Sequence, residues 1–253
     1  MKVFLTSLIG GSYVENGIRI PCPLFDENQF PENLRKYWTD NAKCLIISSS
    51  PDNISINNSF LTIFKEAFPM SGFSLSKIDI CDNRNEDKLA DIIYDYDVLL
   101  LAGGHVPTQN EFFHRINLKE LIHKFNGIII GISAGSMNSA GHVYAQPELD
   151  DEVTDPNYKR YLDGLDLTKI SILPHFQDLR EATIGGLRAL EDISFEDSKV
   201  KPFYALVDGS YVLIDDHGET IYGEAYWIEN GTITKVCEKG ECKQITFYKL
   251  SPS

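Results

Sequence analysis

Ser133 sits in Gly131-Ile132-Ser133-Ala134-Gly135, directly after the isoleucine-rich run Gly127-Ile128-Ile129-Ile130 and before Ser136-Met137-Asn138-Ser139-Ala140, a stretch able to open a helix. Strand, sharp turn and helix in that order is the setting of a nucleophile elbow, where small flanking residues let the backbone turn and lift a serine hydroxyl above the sheet. In that geometry the Ala134 N–H faces the same space and is placed to stabilise an oxyanion. The run Leu100-Leu101-Ala102-Gly103-Gly104-His105 ends another apolar segment in two glycines. A backbone N–H there, at Gly104, is the second oxyanion donor on one reading; a plain turn is the other. A phosphate-binding loop does not fit, because neither Gly-x-Gly-x-x-Gly nor Gly-Lys-Ser/Thr follows.

A serine nucleophile needs a base, and the chain offers His105, His114, His123, His142, His175 and His217. His114 and His123 fall on a polar helical stretch, His217 falls in a turn, and His142 is too close in sequence to face Ser133. His175 follows the short apolar strand Ile170-Ser171-Ile172-Leu173-Pro174, where side chains reach the active edge of a sheet. It is the expected base, with a structural histidine as the alternative. The orienting acid is not fixed by spacing, since triads recur in several chain orders: Asp166 precedes the histidine, and Asp178 and Asp208 follow it.

These groups need a scaffold, and the sequence supplies one. Short apolar runs at Val3-Phe4-Leu5, Cys44-Leu45-Ile46-Ile47, 73–78, Val98-Leu99-Leu100-Leu101 and 127–130 read as strands covered on both faces. Helix-compatible segments at 31–39, 57–67, 85–94 and 109–124 provide the crossovers that parallel strands require. The expected fold is α/β, a doubly wound, mostly parallel sheet. After about Lys201 short strands at 204–206, 211–214, 220–222, 226–228, 232–236 and 244–248 alternate with the turns Asp216-His217-Gly218 and Asn230-Gly231. They read as a C-terminal antiparallel meander, about 204–250, packed on the main sheet within one domain spanning 1–253. Between the halves, residues 148–166 hold Glu148, Asp150, Asp151, Glu152, Asp155, Asp163 and Asp166 against Lys159 and Arg160 without hydrophobic periodicity, which reads as a solvated loop.

Composition narrows the partners. Lys+Arg 23 against Asp+Glu 37 leaves a net charge of -14, which argues against a nucleic acid or an anionic membrane as main partner. Hydrophobic residues at 43% and charged ones at 24% are globular values, so disordered and coiled-coil classes are set aside. Five cysteines form no dense framework, and the odd number points to a reducing, cytoplasmic setting. Cys237 and Cys242 would face each other across a hairpin turning at Lys239-Gly240, as reduced neighbours. The N-terminal apolar run is read as a first buried strand rather than a signal peptide, and the longest uncharged stretch, 127–147, is too broken to span a membrane.

The elbow at 131–135, Ala102-Gly103-Gly104, Leu173-Pro174-His175-Phe176-Gln177-Asp178 and Tyr204-Ala205-Leu206-Val207-Asp208-Gly209-Ser210 occur in the order found in dipeptidase E-like serine peptidases, and from the first strand to about Ile228 the chain resembles that family. It includes α-aspartyl dipeptidase and, more distantly, cyanophycinase. The resemblance implies a fold like that of class I glutamine amidotransferases and a triad of Ser133, His175 and Asp208, with no metal or organic cofactor. It also implies a small peptide substrate, Arg180 as the reader of an aspartyl carboxylate and Glu148 near the substrate's amino group. A homodimer is compatible with it. The chain departs from the α-aspartyl pattern in carrying Asp208 where that pattern has Glu, and in lacking part of the histidine-rich loop before the arginine. Two other readings use the same elbow: an α/β-hydrolase-type esterase or acyltransferase pairing Asp166 with His175 or His217, and a non-catalytic binding protein. A glutamine amidotransferase is disfavoured, because that chemistry needs cysteine at position 133.

Overall fold

A computed structural model describes residues 1–245. β1 (Lys2–Thr6) leads into a hairpin of β2 (Gly10–Glu15) and β3 (Ile18–Leu24), which turns at Asn16-Gly17 with positive φ at both residues. Then follow α1 (Phe30–Arg35), β4 (Ala42–Ile47), α2 (Ile54–Met70), β5 (Leu75–Cys81), α3 (Leu89–Ile92), β6 (Val98–Leu101), α4 (Val106–Arg115), α5 (Leu118–Ile122) and β7 (Ile128–Ile132). Strands β1, β7, β6, β4 and β5 lie side by side in that order, all parallel. Successive residues point to opposite faces, and both faces are buried. Val3 and Leu5 join Leu99, Leu101 and Ile129 beneath Phe112 of α4 and Leu118 of α5. Phe4 joins Ile46, Leu100 and Ile130 beneath Leu34 of α1 and Phe64 and Phe68 of α2. Each such side chain removed from water stabilises by about 1.5–3 kcal/mol, which is why the strands read as unbroken apolar runs rather than alternating ones.

Two expected helices differ in detail. The segment 109–124 is two helices, because Asn117 adopts a left-handed conformation (φ 51°) that ends α4 and starts α5. The segment 85–94 is a single α-helical turn, α3, between two short 3₁₀ turns.

Beyond β7 come α6 (Ala134–Met137), β8 (His142–Tyr144), α7 (Asp150–Thr154), β9 (Tyr161–Asp163), β10 (Ile172–Leu173), α8 (Phe176–Leu179), the small hairpin β11 (Thr183–Ile184) and β12 (Leu187–Arg188), and α9 (Phe195–Asp197). The acidic stretch 148–166 is therefore not a structureless loop. It contains α7, and β9 pairs back onto β8 in antiparallel register.

The C-terminal strands are β13 (Phe203–Leu206), β14 (Tyr211–Asp215), β15 (Gly218–Tyr222), β16 (Ala225–Glu229), β17 (Thr232–Cys237) and β18 (Cys242–Gln244). They do not form one meander packed on the main sheet. β14, β15 and β18 continue the main sheet edge to edge, with β14 antiparallel to β1, while β13, β16 and β17 build a second sheet with β10. The physical reason is the open edge of β1, whose unpaired backbone groups are satisfied by β14. This division also corrects the expected cysteine hairpin. Cys237 on β17 lies opposite Ala225 and Cys242 on β18 lies opposite Tyr222, in different sheets, and both thiols are free. Of the strand expected over 244–248, Gln244 closes β18, and 246–248 lie outside the described residues.

Candidate active site

Parallel strands that end together gather their following loops at one edge, which is where α/β folds bind ligands. Here β1 delivers Ser7, β6 delivers Gly103 and Gly104, and β7 delivers Ser133. In the second sheet the parallel pairing Leu173↔Ala205 brings the residues after β10 and β13 alongside each other, so His175 and Asp208 are neighbours although they lie 33 positions apart in the chain.

Ser133 stands at φ 49°, ψ −110°, a strained conformation for a side-chain-bearing residue that costs about 1–3 kcal/mol and is held by its surroundings. Its N–H donates to the Thr6 carbonyl at 3.0 Å. The glycines on either side are required by close approach. A Cβ on Gly135 would lie 2.3 Å from the Leu101 carbonyl oxygen, and one on Gly131 would lie 2.8 Å from the Ser136 nitrogen. The elbow can turn only where both neighbours lack side chains. Ala134 opens α6, where a first-turn N–H has no intrahelical acceptor. The glycine loop after β6 abuts the nucleophile, since a Cβ on Gly103 would come within 3.5 Å of the Ser133 Cβ. Gly104 has φ 155° and no room for a side chain beside the Ser49 hydroxyl.

Ser133 Oγ lies 2.9 Å from His175 Nε2, and His175 Nδ1 lies 2.8 Å from Asp208 Oδ1. The imidazole is half-buried, and burial works against its charged form. The hydrogen bond and charge of Asp208, with the charges of Asp178 and Glu148, outweigh this and hold its pKa above the usual value. Asp208 is also pushed up by burial, but its bond to His175 and the bond from Ser7 hold it below the ordinary carboxylate range. The Asp208 N–H donates to Gln177 Oε1 at 3.1 Å.

Ser7 is a member of this cluster that the sequence did not single out. It is wholly buried; its hydroxyl accepts the His175 N–H at 2.8 Å and donates to Asp208 Oδ1 at 2.7 Å. The available signal was its position, a serine at the carboxyl end of the first strand. The left-handed conformation of His175 (φ 55°, ψ 37°) was equally invisible in sequence.

The other named residues fall as follows. Asp166 pairs with Lys169 rather than with a histidine, and Asp178 is exposed beside the triad. His114 and His123 bond to main-chain carbonyls, and His142 and His217 are exposed. His105 Nε2 bonds Glu152 Oε1 at 2.6 Å, while Glu152 Oε2 accepts the N–H groups of Glu148 and Leu149. That network anchors α7 next to the nucleophile. Glu148 lines the cleft with Ser133 and His175; loss of solvation raises its pKa, opposed by the charge of His105 and the Val106 N–H. Arg180 is exposed, with its guanidinium over the Phe176 ring at 5.7 Å, and is not among the residues lining the cavities around Ser133.

His175, Asp178 and Asp208 present donor atoms within 4.8 Å of one another, a spacing that a metal could bridge. Both ring nitrogens of His175 are committed, one to Ser133 and one to Asp208, so the arrangement suits proton transfer better than metal ligation. Among the described residues no helix is long and apolar enough to cross a membrane.

Comparison with known proteins agrees with this architecture. The crystal structure of a peptidase from an acI-B1 Actinobacterium superposes with a TM-score of 0.63 at 12% identity, covering 96% of each chain. A candidate peptidase E protein from Listeria monocytogenes EGD-e superposes at 0.55 with 14% identity, covering 93% of this chain and 98% of that one. At such identities the likeness is one of fold. No curated protein matches in sequence. The family description Peptidase family S51 matches residues 28–222, which takes in the elbow, His175 and Asp208, and the chain therefore belongs to peptidase family S51, a family of serine peptidases.

Proposed function

We propose that the protein hydrolyses short peptides, as a dipeptidase, through an acyl-enzyme formed on Ser133. The observation that carries this reading is the unbroken hydrogen-bonded chain from Ser133 Oγ through His175 to Asp208. Ser133 Oγ attacks the scissile carbonyl carbon while His175 Nε2 takes its proton. The oxyanion that forms is stabilised by the N–H groups of Ala134 and Gly104. His175 then gives the proton to the leaving amine, and water attacks the ester by the same route to release the acid and free the serine. Asp208 keeps the imidazole in the tautomer with hydrogen on Nδ1 and stabilises the transient imidazolium. Glu148, on the wall beside both Ser133 and His175, is suited to hold the substrate's ammonium group. Arg180 lies outside the cavities, so the reading of an aspartyl side chain by Arg180 is not part of this proposal.

An esterase using Asp166 is disfavoured by the Asp166–Lys169 pair. The decisive experiment is digestion of a dipeptide library by wild type and Ser133→Ala. A fall in kcat on the order of a millionfold is expected where serine, histidine and acid act as a unit. Retained hydrolysis in Ser133→Ala would remove the serine from the mechanism.

A further inference from the structure

Ser133, His175 and Glu148 line both of two cavities that meet at the nucleophile. One, of about 330 Å³, is walled by Met137, Leu173, Pro174, Leu179 and Ile184; its charged groups besides His175 are the acids Glu148 and Asp178. The other, of about 570 Å³, runs past Gly103 and Gly104 and is walled by Leu8, Ile56, Phe60 and Phe64. Its lining includes Arg19, on β3 of the N-terminal hairpin, the single Lys or Arg among the described residues lining either cavity. The guanidinium is steadied by one bond, from Nη1 to Ser12 Oγ at 3.1 Å, and Ser12 lines the same cavity. Among the described residues no carboxylate lies within ion-pair distance of Arg19. In a chain with net charge -14, an unpaired guanidinium over an apolar cleft is available to a ligand.

We propose that Arg19 binds the free C-terminal carboxylate of the leaving portion of the peptide, and that the other cavity takes an uncharged, apolar side chain on the acyl residue. This rests on the peptidase reading above and deepens it. A short peptide is a zwitterion whose amine belongs to the acyl side and whose carboxylate belongs to the leaving side. Charge alone therefore orients it. Glu148 borders both cavities at the nucleophile and takes the amine, and the Arg19 guanidinium takes the carboxylate. Guanidinium presents a planar pair of N–H groups that match a carboxylate with two parallel bonds. An aspartyl or glutamyl side chain in the smaller cavity would meet Glu148 and Asp178 without a compensating cation, whereas leucyl or methionyl would bury its stem against Met137, Leu173 and Ile184.

The test compares kcat/KM for leucyl-phenylalanine, its C-terminal amide and aspartyl-phenylalanine, with wild type, Arg19→Lys and Arg19→Ala. Wild type is expected to favour the free acid over the amide by about tenfold, carried in KM, the lower end for a charged hydrogen-bonded pair because Arg19 is solvent-exposed. In Arg19→Ala that ratio should fall to near one, and Arg19→Lys should retain an intermediate ratio. Leucyl-phenylalanine should exceed aspartyl-phenylalanine in all three proteins. A free-acid preference that persists in Arg19→Ala, a wild type indifferent to amidation, or a preference for the aspartyl peptide overturns the inference while leaving the peptidase reading intact. Failure of wild type to cleave any peptide overturns both.

Discussion

Replacing Ser7 by alanine removes a hydroxyl that holds two triad members at once. It accepts the His175 N–H at 2.8 Å and donates to Asp208 Oδ1 at 2.7 Å, the same oxygen that receives His175 Nδ1–H. A hydrogen bond to a charged group contributes about 1.5–3 kcal/mol, and the orphaned His175 N–H adds about 1–3 kcal/mol where water does not replace the partner. His175 is also in a left-handed conformation that its contacts must maintain, at about 1–2 kcal/mol. Part of this loss lowers global stability, and part appears in the transition state, where the imidazolium needs Asp208 in place. If about 1.4–3 kcal/mol falls on the barrier, kcat drops roughly tenfold to a hundredfold. The sign of the pH effect follows from the same contacts. Asp208 raises the His175 pKa, and the base works only when neutral, so activity falls as pH drops through that raised value. Loosening Asp208 returns the pKa toward that of a free imidazole and moves the acid limb of kcat/KM to lower pH. The assay is a pH series of kcat and KM on a peptide that wild type cleaves, with thermal unfolding measured in parallel. A folded Ser7→Ala protein with wild-type kcat and an unmoved acid limb would refute the argument.

Asp208→Asn should lower kcat by about ten-thousandfold, because the amide favours the wrong imidazole tautomer, and shift the acid limb the same way as Ser7→Ala but further; steady-state kinetics across pH reads both. Gly135→Ala forces a Cβ to 2.3 Å from the Leu101 carbonyl oxygen, so α6 must move off β6; a lower Tm and loss of Ser133 labelling by a fluorophosphonate are expected together. Arg180→Ala should leave the ranking of aspartyl against leucyl dipeptides unaltered, since Arg180 stacks over Phe176 outside the cavities; a change in that ranking would return it to the site.

Much of the fold was legible because buried parallel strands have a plain signature. Ile128 to Ile130, Val98 to Leu101 and Cys44 to Ile47 are apolar at every position, which only a sheet covered on both faces requires. The elbow was legible because glycine at 131 and 135 answers a local demand, the approach of Ser136 and Leu101. The C-terminal strands were visible as strands, yet their partners were not, because β-propensity says nothing about which edge a strand will meet. That choice was made by the open edge of β1 and by the pairing of β10 with β13. The acidic stretch concealed its order for a related reason: Glu152 is fixed by His105, a residue 47 positions earlier, and no local periodicity records such a bond.

The sequence by itself determined that Ser133 is an elbow serine at a strand end and that His175 follows another strand, because both depend on neighbours within a few residues. Only the tertiary structure decided which acid faces the histidine. Asp166, Asp178 and Asp208 are equivalent as residue types, and the parallel register of two short strands brings Asp208 to His175, over the hydroxyl of Ser7 at the end of β1. It also set Arg19, from a hairpin turning at Asn16-Gly17, over the same cleft. Contacts between residues far apart in the chain are fixed by how sheets close on one another, and that information is distributed over the whole core rather than written at the residues that meet.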